Sequence, residues 1–232
     1  MVSACRWYWM VVMMAVRLTR AERRGQTRQE LLTAAEECFV TGGFHGTSVE
    51  QVADRAGYTK GAVYSNFASK EDLFFAVYER RVEWVLTQTV PRLRQVGPQR
   101  AFDDLATATI ERRQADDGWL AVFFEFWAHV LRHPELRERF AAVHARVLEP
   151  MAEAVRLLTE ARESALLADV TALQVAVAWN AMEIGLSLER LTQPHVVDAE
   201  LARRMGRLLL DAALDSPRST RNDRAQQNRS TP

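Results

Sequence analysis

The stretch YTKGAVYSNFASKEDLF, residues 58–74, places two hydroxyl residues where each can begin a helix. Thr59 can cap a short helix that runs from Thr59 to about Phe67, and Ser69 can cap a longer one. Glu71 and Asp72 follow Ser69 in the first turn, where negative charge is favourable. The stretch therefore predicts a short helix, a tight turn and the start of a long helix.

Two further helices precede this stretch. The first has apolar residues at helical spacing and stops at Gly42-Gly43, where glycine lets the chain leave the helix; these residues are Leu31, Ala34, Ala35, Cys38 and Phe39. TSVE, residues 47–50, matches a capping box of Thr47 and Glu50 that opens a second helix of about two turns. Ala56-Gly57 ends it, which gives a helix-turn-helix layout.

The third helix divides into an inner and an outer side. Val63 and Phe67 complete an apolar core with residues of the second helix, Val49, Val52 and Ala53. The outer side carries Thr59, Lys60, Gly61, Tyr64, Ser65 and Asn66, and it is the side that a DNA major groove would meet. Gly61 permits close backbone approach, Lys60 and Tyr64 can reach phosphates, and Lys70 can hold a phosphate at the next helix start.

Residues 27–75 resemble the DNA-binding domain of the tetracycline-repressor (TetR/AcrR) family of bacterial transcriptional regulators. The resemblance implies a homodimer that binds a palindromic operator, and a C-terminal domain whose small ligand lowers DNA affinity. It also implies DNA contacts at Thr47, Thr59, Lys60, Gly61, Tyr64 and Lys70. Ser65 and Asn66 stand where the family often has larger aromatic or histidine residues.

The overall composition does not favour DNA binding, so attraction to DNA has to come from local positive charge. The 232 residues carry 30 basic and 30 acidic side chains, so net charge gives no general attraction to DNA. A basic arm formed by Arg17, Arg20, Arg23 and Arg24 can supply phosphate contacts. The two cysteines, Cys5 and Cys38, lie in unlike contexts, so we expect free thiols and a cytoplasmic location.

The chain divides by composition into four segments. Residues 1–16 form a leader whose apolar run is shorter than the about 20 residues that span a bilayer, so no membrane partner is expected. We expect that translation starts at Met13 or Met14, so that this leader lies upstream of the true start, or that the leader is disordered. Residues 17–70 form the helix-turn-helix domain, residues 71–215 a helical ligand-binding and dimerisation domain, and residues 216–232 a disordered tail.

Helical periodicity continues through the second domain, which predicts an all-α protein of about nine helices. The fourth helix runs from Ser69 to near Pro91. Further helices are predicted at 99–114, 119–131, 136–163, 169–191 and 198–214. Pro134 and Pro194 mark breaks, and Pro150 is expected to kink its helix.

Aromatic residues of the second domain are candidates for an effector pocket. The candidate lining residues are Trp84, Phe123, Phe124, Trp127, Trp179 and Met182, together with the carboxylates Glu125 and Glu183. Aromatic walls with few polar groups are typical of small-ligand sites. A carboxylate on a buried helix needs an arginine or a ligand as its partner. We expect an apolar or aromatic effector, with a cationic one as the alternative, and no cofactor.

The last two helices carry small residues beside leucines, at Ala172, Ala176, Ala178, Ala181 and Gly185. Small residues allow close helix approach, and the resemblance places the dimer interface here. The alternative is that the same residues pack only within one chain.

We therefore expect a ligand-responsive repressor, and two other classes stay open. An enzyme would use Glu125, His129 or His133, and a metal site would join His129 and His133 with His144, although the spacing lacks acidic or cysteine partners. An interaction module would keep the helix-turn-helix scaffold without binding DNA.

Overall fold

The structure, a computed structural model, describes residues 19–93, 95–96, 100, 116–161 and 170–214. It has eight helices in these ranges: α1 Arg20–Gly46, α2 Val49–Ala56, α3 Lys60–Tyr64, α4 Lys70–Leu93, α5 Asp117–Arg132, α6 Pro134–Ala161, α7 Ala172–Thr192 and α8 Ala199–Leu214. Strands are absent from the described residues, so the all-α prediction is confirmed. The leader, the tail and nearly all of the predicted helix at 99–114 lie outside the described residues.

The described residues fold as two compact units, which divide after Val77. Helix α4 belongs to both, since the division falls within it, after Val77.

Helix α1 begins earlier than its apolar pattern indicates. Thr19 and Glu22 form a capping box, with the Thr19 amide donating to the Glu22 carboxylate at 2.6 Å. Arg20, Arg23 and Arg24 are exposed on the first turns of this helix. The predicted basic arm is therefore part of a helix at these three positions, and its phosphate contacts stay a prediction. Arg17 lies outside the described residues.

The end of α1 follows the prediction for Gly42-Gly43. Gly43 has φ 75°, in the left-handed region that glycine enters without a Cβ clash, and the helical path breaks there before a last turn to Gly46. Beyond the break, the Phe44 ring packs edge-to-face on Phe74, with ring centroids 5.5 Å apart. Phe39 approaches Phe74 in the same way at 5.2 Å. These rings form the centre of the first unit.

In the second unit, prolines and caps set the helix ends. Pro134 is the first residue of α6, and Pro194 follows the end of α7, so both predicted breaks are confirmed. Pro150 lies inside α6. Asp116 caps α5, and Thr171 forms a capping box with Gln174 at the start of α7.

Helices α6, α7 and α8 share a core around Trp179. This side chain is 3% exposed and lies among Met151, Val155, Leu158 and Val175. Gly206 of α8 leaves the space for the indole, because a Cβ at this position would lie 1.8 Å from Trp179 Cη2. Within the described residues, none of the helices has both the length and the apolar character needed to cross a membrane.

We predict that Gly206→Ala destabilises the second unit by about 1–3 kcal/mol through overpacking against Trp179. The direction of the change in stability is informative, because Gly→Ala inside a helix otherwise stabilises the helix by up to about 1 kcal/mol. Gly25→Ala is the control, because a Cβ there meets nothing within 4 Å. Urea unfolding measures both; equal stability of the two variants would contradict the packing.

Candidate nucleic-acid interface

The helix-turn-helix is built by caps that differ in part from the predicted ones. Ser48, not Thr47, is the N-cap of α2, and its capping-box partner is Gln51 rather than Glu50. Gly57 ends α2 in the left-handed conformation at φ 73°. Thr59 caps α3 as predicted, with its hydroxyl accepting from the Ala62 amide at 3.2 Å.

Helix α3 is shorter than predicted, and its own polar residues end it. The Ser65 hydroxyl and the Asn66 side-chain amide both donate to the Ala62 carbonyl, at 2.8 and 2.9 Å. Such local side-chain bonds compete with the helical pattern, so α3 ends at Tyr64 instead of continuing to Phe67. Ser65 and Asn66 thus have a structural role here beside their predicted DNA contacts.

The predicted division of α3 into inner and outer sides is present. Val63 and Phe67 are each 1% exposed, as the predicted core requires. The opposite side exposes Thr59, Lys60, Gly61, Tyr64 and Ser65, whereas Asn66 is half-buried. Tyr64 is 48% exposed and its ring lies 5.7 Å from the Lys60 ammonium.

Gly61 lies at the centre of this exposed side. A Cβ there would meet only the Thr59 hydroxyl oxygen, at 3.8 Å. Nothing inside the described fold therefore requires glycine at this position, which is compatible with a requirement set by an external surface.

Thr47 does not face outward. The residue is 4% exposed, and its hydroxyl donates to the carbonyls of Gly43 at 2.7 Å and Cys38 at 3.0 Å. This corrects the prediction for its side chain, since a buried hydroxyl that already binds two carbonyls is directed into the fold. The exposed hydroxyl at the start of α2 belongs to Ser48.

Lys70 is held by the same turn. Its ammonium donates to the carbonyls of Phe44 at 3.0 Å and Thr47 at 3.2 Å, and lies 4.6 Å above the Phe44 ring. Two of its three donors are therefore used internally. The predicted phosphate contact stays a prediction, and it would have to share this ammonium.

Two side chains whose contacts the sequence analysis missed, Tyr58 and Arg28, fasten α1 to the α3 region. The Tyr58 hydroxyl donates to the Glu30 carboxylate and accepts from Thr27 at 3.3 Å. The hydrogen bond from Tyr58 lowers the pKa of Glu30. Arg28 donates to the Asn66 carbonyl at 3.0 Å and lies 4.3 Å above the Phe67 ring. These partners are far apart in the chain, so no local pattern shows them.

The second unit contains a group of six rings in mutual contact, which we call the His144 cluster. Its members are Tyr78, Trp119, Phe123, Trp127, Phe140 and His144. The rings of Trp127 and Phe140 lie 5.2 and 5.6 Å from the imidazole. Asn180 Nδ2 lies 3.2 Å from His144 Nε2, and the Tyr78 hydroxyl lies 2.9 Å from Nδ1. In the tautomer whose Nε2 accepts from the Asn180 amide, the Nδ1 proton is directed at the Tyr78 oxygen.

The predicted pocket residues divide among different places. Phe123 and Trp127 belong to the His144 cluster, and Phe124 lies beside Phe123 with centroids 6.2 Å apart. Trp179 and Met182 pack in the separate core of α6 and α7. Trp84 is 58% exposed, so it lines neither group in this chain.

The two predicted carboxylates also differ. Glu183 is 2% exposed, as its helix position predicts. Glu125 is only half-buried, which corrects the expectation of burial for that residue.

The histidines do not gather as a metal site would require. His129 and His133 stack with ring centroids 3.9 Å apart, and His133 Nδ1 lies 2.8 Å from the His129 carbonyl. His144 is instead held within the His144 cluster. Among the described residues, no group of three or more metal-ligating side chains comes together.

Helix α7 exposes an apolar side. Leu173, Val177 and Leu188 are each 46–47% exposed, and their spacing of 4 and 11 residues places them on one side of the helix. Exposed Ala181 and Gly185 lie between them on that side. On α8, Leu208 is 60% exposed.

A capped helix pair with an exposed recognition helix, followed by a separate helical unit, defines a helix-turn-helix transcriptional regulator. The family comparison agrees. Residues 31–77 match the model described as bacterial regulatory proteins of the tetR family, and residues 98–215 match that of the BetI-type transcriptional repressor C-terminal region. The chain belongs to the tetR family.

Its relatives include both activators and repressors. The chain is 34% identical over 146 residues to the transcriptional activator FasR of Mycolicibacterium smegmatis, covering 62% of this chain and 57% of FasR. It is 27% identical over 122 residues to the repressor AcnR of Corynebacterium diphtheriae, covering 53% and 59%. These matches span under two thirds of the length of either relative.

The fold is shared more widely than the sequence. A TetR transcription regulator from Haloarcula marismortui matches with a TM-score of 0.69 and 16% identity, covering 81% of this chain and 98% of that one. At this identity the likeness concerns the fold alone.

We predict that Thr47→Val lowers the free energy of unfolding by about 1–3 kcal/mol, because it removes a buried donor from two carbonyls. Thr41→Val is the matched control, since the exposed Thr41 hydroxyl also donates to a helix carbonyl, that of Glu37 at 2.8 Å. Thermal unfolding compares the two variants. A control that is as destabilised as Thr47→Val would contradict the assigned role.

Proposed function

We propose that this regulator is a repressor that binds a palindromic operator as a homodimer and is released by a small effector. The single observation that carries the DNA-binding part is the outer side of α3, where Lys60, Gly61 and Tyr64 are exposed around a position with no internal need for glycine. We place the protein in the cytoplasm, where its DNA is.

The proposed DNA contacts are of two kinds, those of α3 at the major groove and those of α1 with phosphates. Gly61 brings the α3 backbone close to the duplex, with Tyr64 and Ser65 beside it in the major groove. Thr59, Lys60 and Asn66 complete this face. Arg20, Arg23 and Arg24 add positive charge on α1, and phosphate contacts of this kind make affinity fall as salt rises.

The exposed apolar side of α7 supports the proposed dimerisation. A row of Leu173, Val177 and Leu188 next to the small residues Ala181 and Gly185 fits close packing on a second copy of itself. A two-fold interface brings the same surface from both chains together, which matches a palindromic operator. Exposed Leu208 of α8 extends the proposed interface.

The effector is proposed to bind at the His144 cluster. This cluster combines aromatic surface with an imidazole, a phenol and an amide, the mixture that binds small apolar or aromatic ligands with a few orienting contacts. A cationic effector would use the aromatic faces instead. Tyr78 belongs to α4, which continues from Lys70 of the first unit, so a ligand that displaces Tyr78 can shift α4 and change operator affinity.

The two rival classes have less support. An enzyme using Glu125, His129 or His133 has no observation in its favour, since those imidazoles stack on each other and the family consists of regulators. An interaction module would share the scaffold and would differ by failing to bind DNA selectively.

Fluorescence anisotropy tests the DNA-binding proposal with a duplex from the protein's own promoter region and a scrambled duplex, at two salt concentrations. We expect selective binding that weakens with salt. Gly61→Ala should leave unfolding unchanged or slightly stabilised, because its Cβ meets nothing closer than 3.8 Å, and should weaken operator binding at least tenfold.

Gly25→Ala is the control for helix propensity, and Tyr64→Ala should weaken binding as well. Equal affinity of wild type and Gly61→Ala for the operator would contradict the assigned face. Equal, weak binding of wild type to both duplexes would favour the interaction module.

We predict that Val177→Glu converts the dimer to a monomer, because it places two unpaired charges in an apolar interface. Leu131→Glu is the control, since Leu131 is 59% exposed on α5, outside the proposed interface. Sedimentation velocity measures the assembly state. A monomeric wild type, or a Val177→Glu variant that stays dimeric, would contradict the α7 interface.

A further inference from the structure

The recognition helix begins with an internal ion pair. Lys60, the first residue of α3, pairs with Glu50 in the first turn of α2, and both side chains are 53% exposed. The pair is not required to cap either helix, because Ser48 with Gln51 caps α2 and Thr59 caps α3. The Glu50 carboxylate therefore occupies the Lys60 ammonium, the group that α3 would offer to a DNA phosphate.

The recognition helix has so few charged residues that a single ion pair changes the charge of its outer side. From Thr59 to Asn66, Lys60 is the sole charged residue in the sequence. A carboxylate on its ammonium makes the outer side of α3 nearly neutral in the free protein, whereas a free lysine would attract any duplex regardless of sequence.

We infer that Glu50 restrains DNA binding by holding Lys60 in an ion pair that a phosphate must replace. The inference rests on the proposed DNA-binding face. Phosphate contacts are common to all sequences, so the restraint lowers affinity for non-specific DNA and leaves selection of the operator to the groove contacts of α3. The same restraint lowers operator affinity by a similar factor, so the ratio between the two affinities does not depend on it.

The ion pair favours the charged form of both partners. The hydrogen bond from Lys60 lowers the pKa of Glu50, and the hydrogen bond to Glu50 raises the pKa of Lys60. Both groups are thus charged across the neutral range. When DNA arrives, Lys60 exchanges one anion for another while Glu50 regains a counterion, so this lysine adds little to net counterion release.

The test is the salt dependence of binding to a sequence-unrelated duplex and to the promoter duplex, for wild type and Glu50→Gln. We expect Glu50→Gln to bind both about two- to five-fold more tightly for each α3 that contacts DNA, the range of an exposed ion pair. The slope of log K against log salt should steepen by up to about 0.9 per α3.

Two controls separate the ion pair from a general charge effect. Glu37→Gln removes the same charge from a pair of matched exposure, that of Glu37 with Arg55 at 2.7 Å between α1 and α2, and should change neither affinity nor slope. In a Lys60→Ala background, Glu50→Gln should lose most of its effect.

Each result decides the inference. An unchanged slope, weaker binding by Glu50→Gln, or an equal gain in the Lys60→Ala background would overturn it and leave the DNA-binding proposal intact if wild type still selects the promoter duplex. Failure of wild type to bind either duplex at low salt would overturn both.

Discussion

The arrangement of the first unit depends on how the carbonyls at the broken end of α1 are satisfied. The last turn of a helix leaves carbonyls without helical partners, and here side chains supply the donors. The Thr47 hydroxyl binds the carbonyls of Cys38 and Gly43, and the Lys70 ammonium binds those of Phe44 and Thr47. Because Lys70 opens α4 and Thr47 precedes α2, this one turn sets the directions of three helices.

That internal use of polar groups determines which residues remain for DNA. Thr47 and Lys70 fasten the turn, while Tyr58 and Arg28 fasten the α3 region to α1. The outer side of α3 stays exposed, with Lys60, Gly61 and Tyr64, and the Glu50 carboxylate pairs with Lys60 there. A rigid support with a small exposed face suits recognition by shape and by a few contacts.

The sequence predicts the helices well because caps and glycines act locally. Gly43 and Gly57 each fix a helix end through their own backbone, and Thr59 does so through its own hydroxyl, so their positions could be predicted. The side-chain partners of Thr47 and Lys70 could not, since both types of residue are equally suited to phosphate, and only packing decides that they face inward. The same holds for Trp84 and Trp179, which share a residue type and differ in exposure, 58% against 3%.

The central claim is that Thr47 and Lys70 are engaged by the carbonyls of the turn at residues 43–47 and that α3 is the surface that meets DNA. Hydrogen–deuterium exchange with and without the promoter duplex tests it most directly. The account predicts that peptides covering residues 58–67 become protected by the duplex, while the exchange of residues 43–47 does not change. Protection confined to residues 43–47, with none in α3, would contradict it.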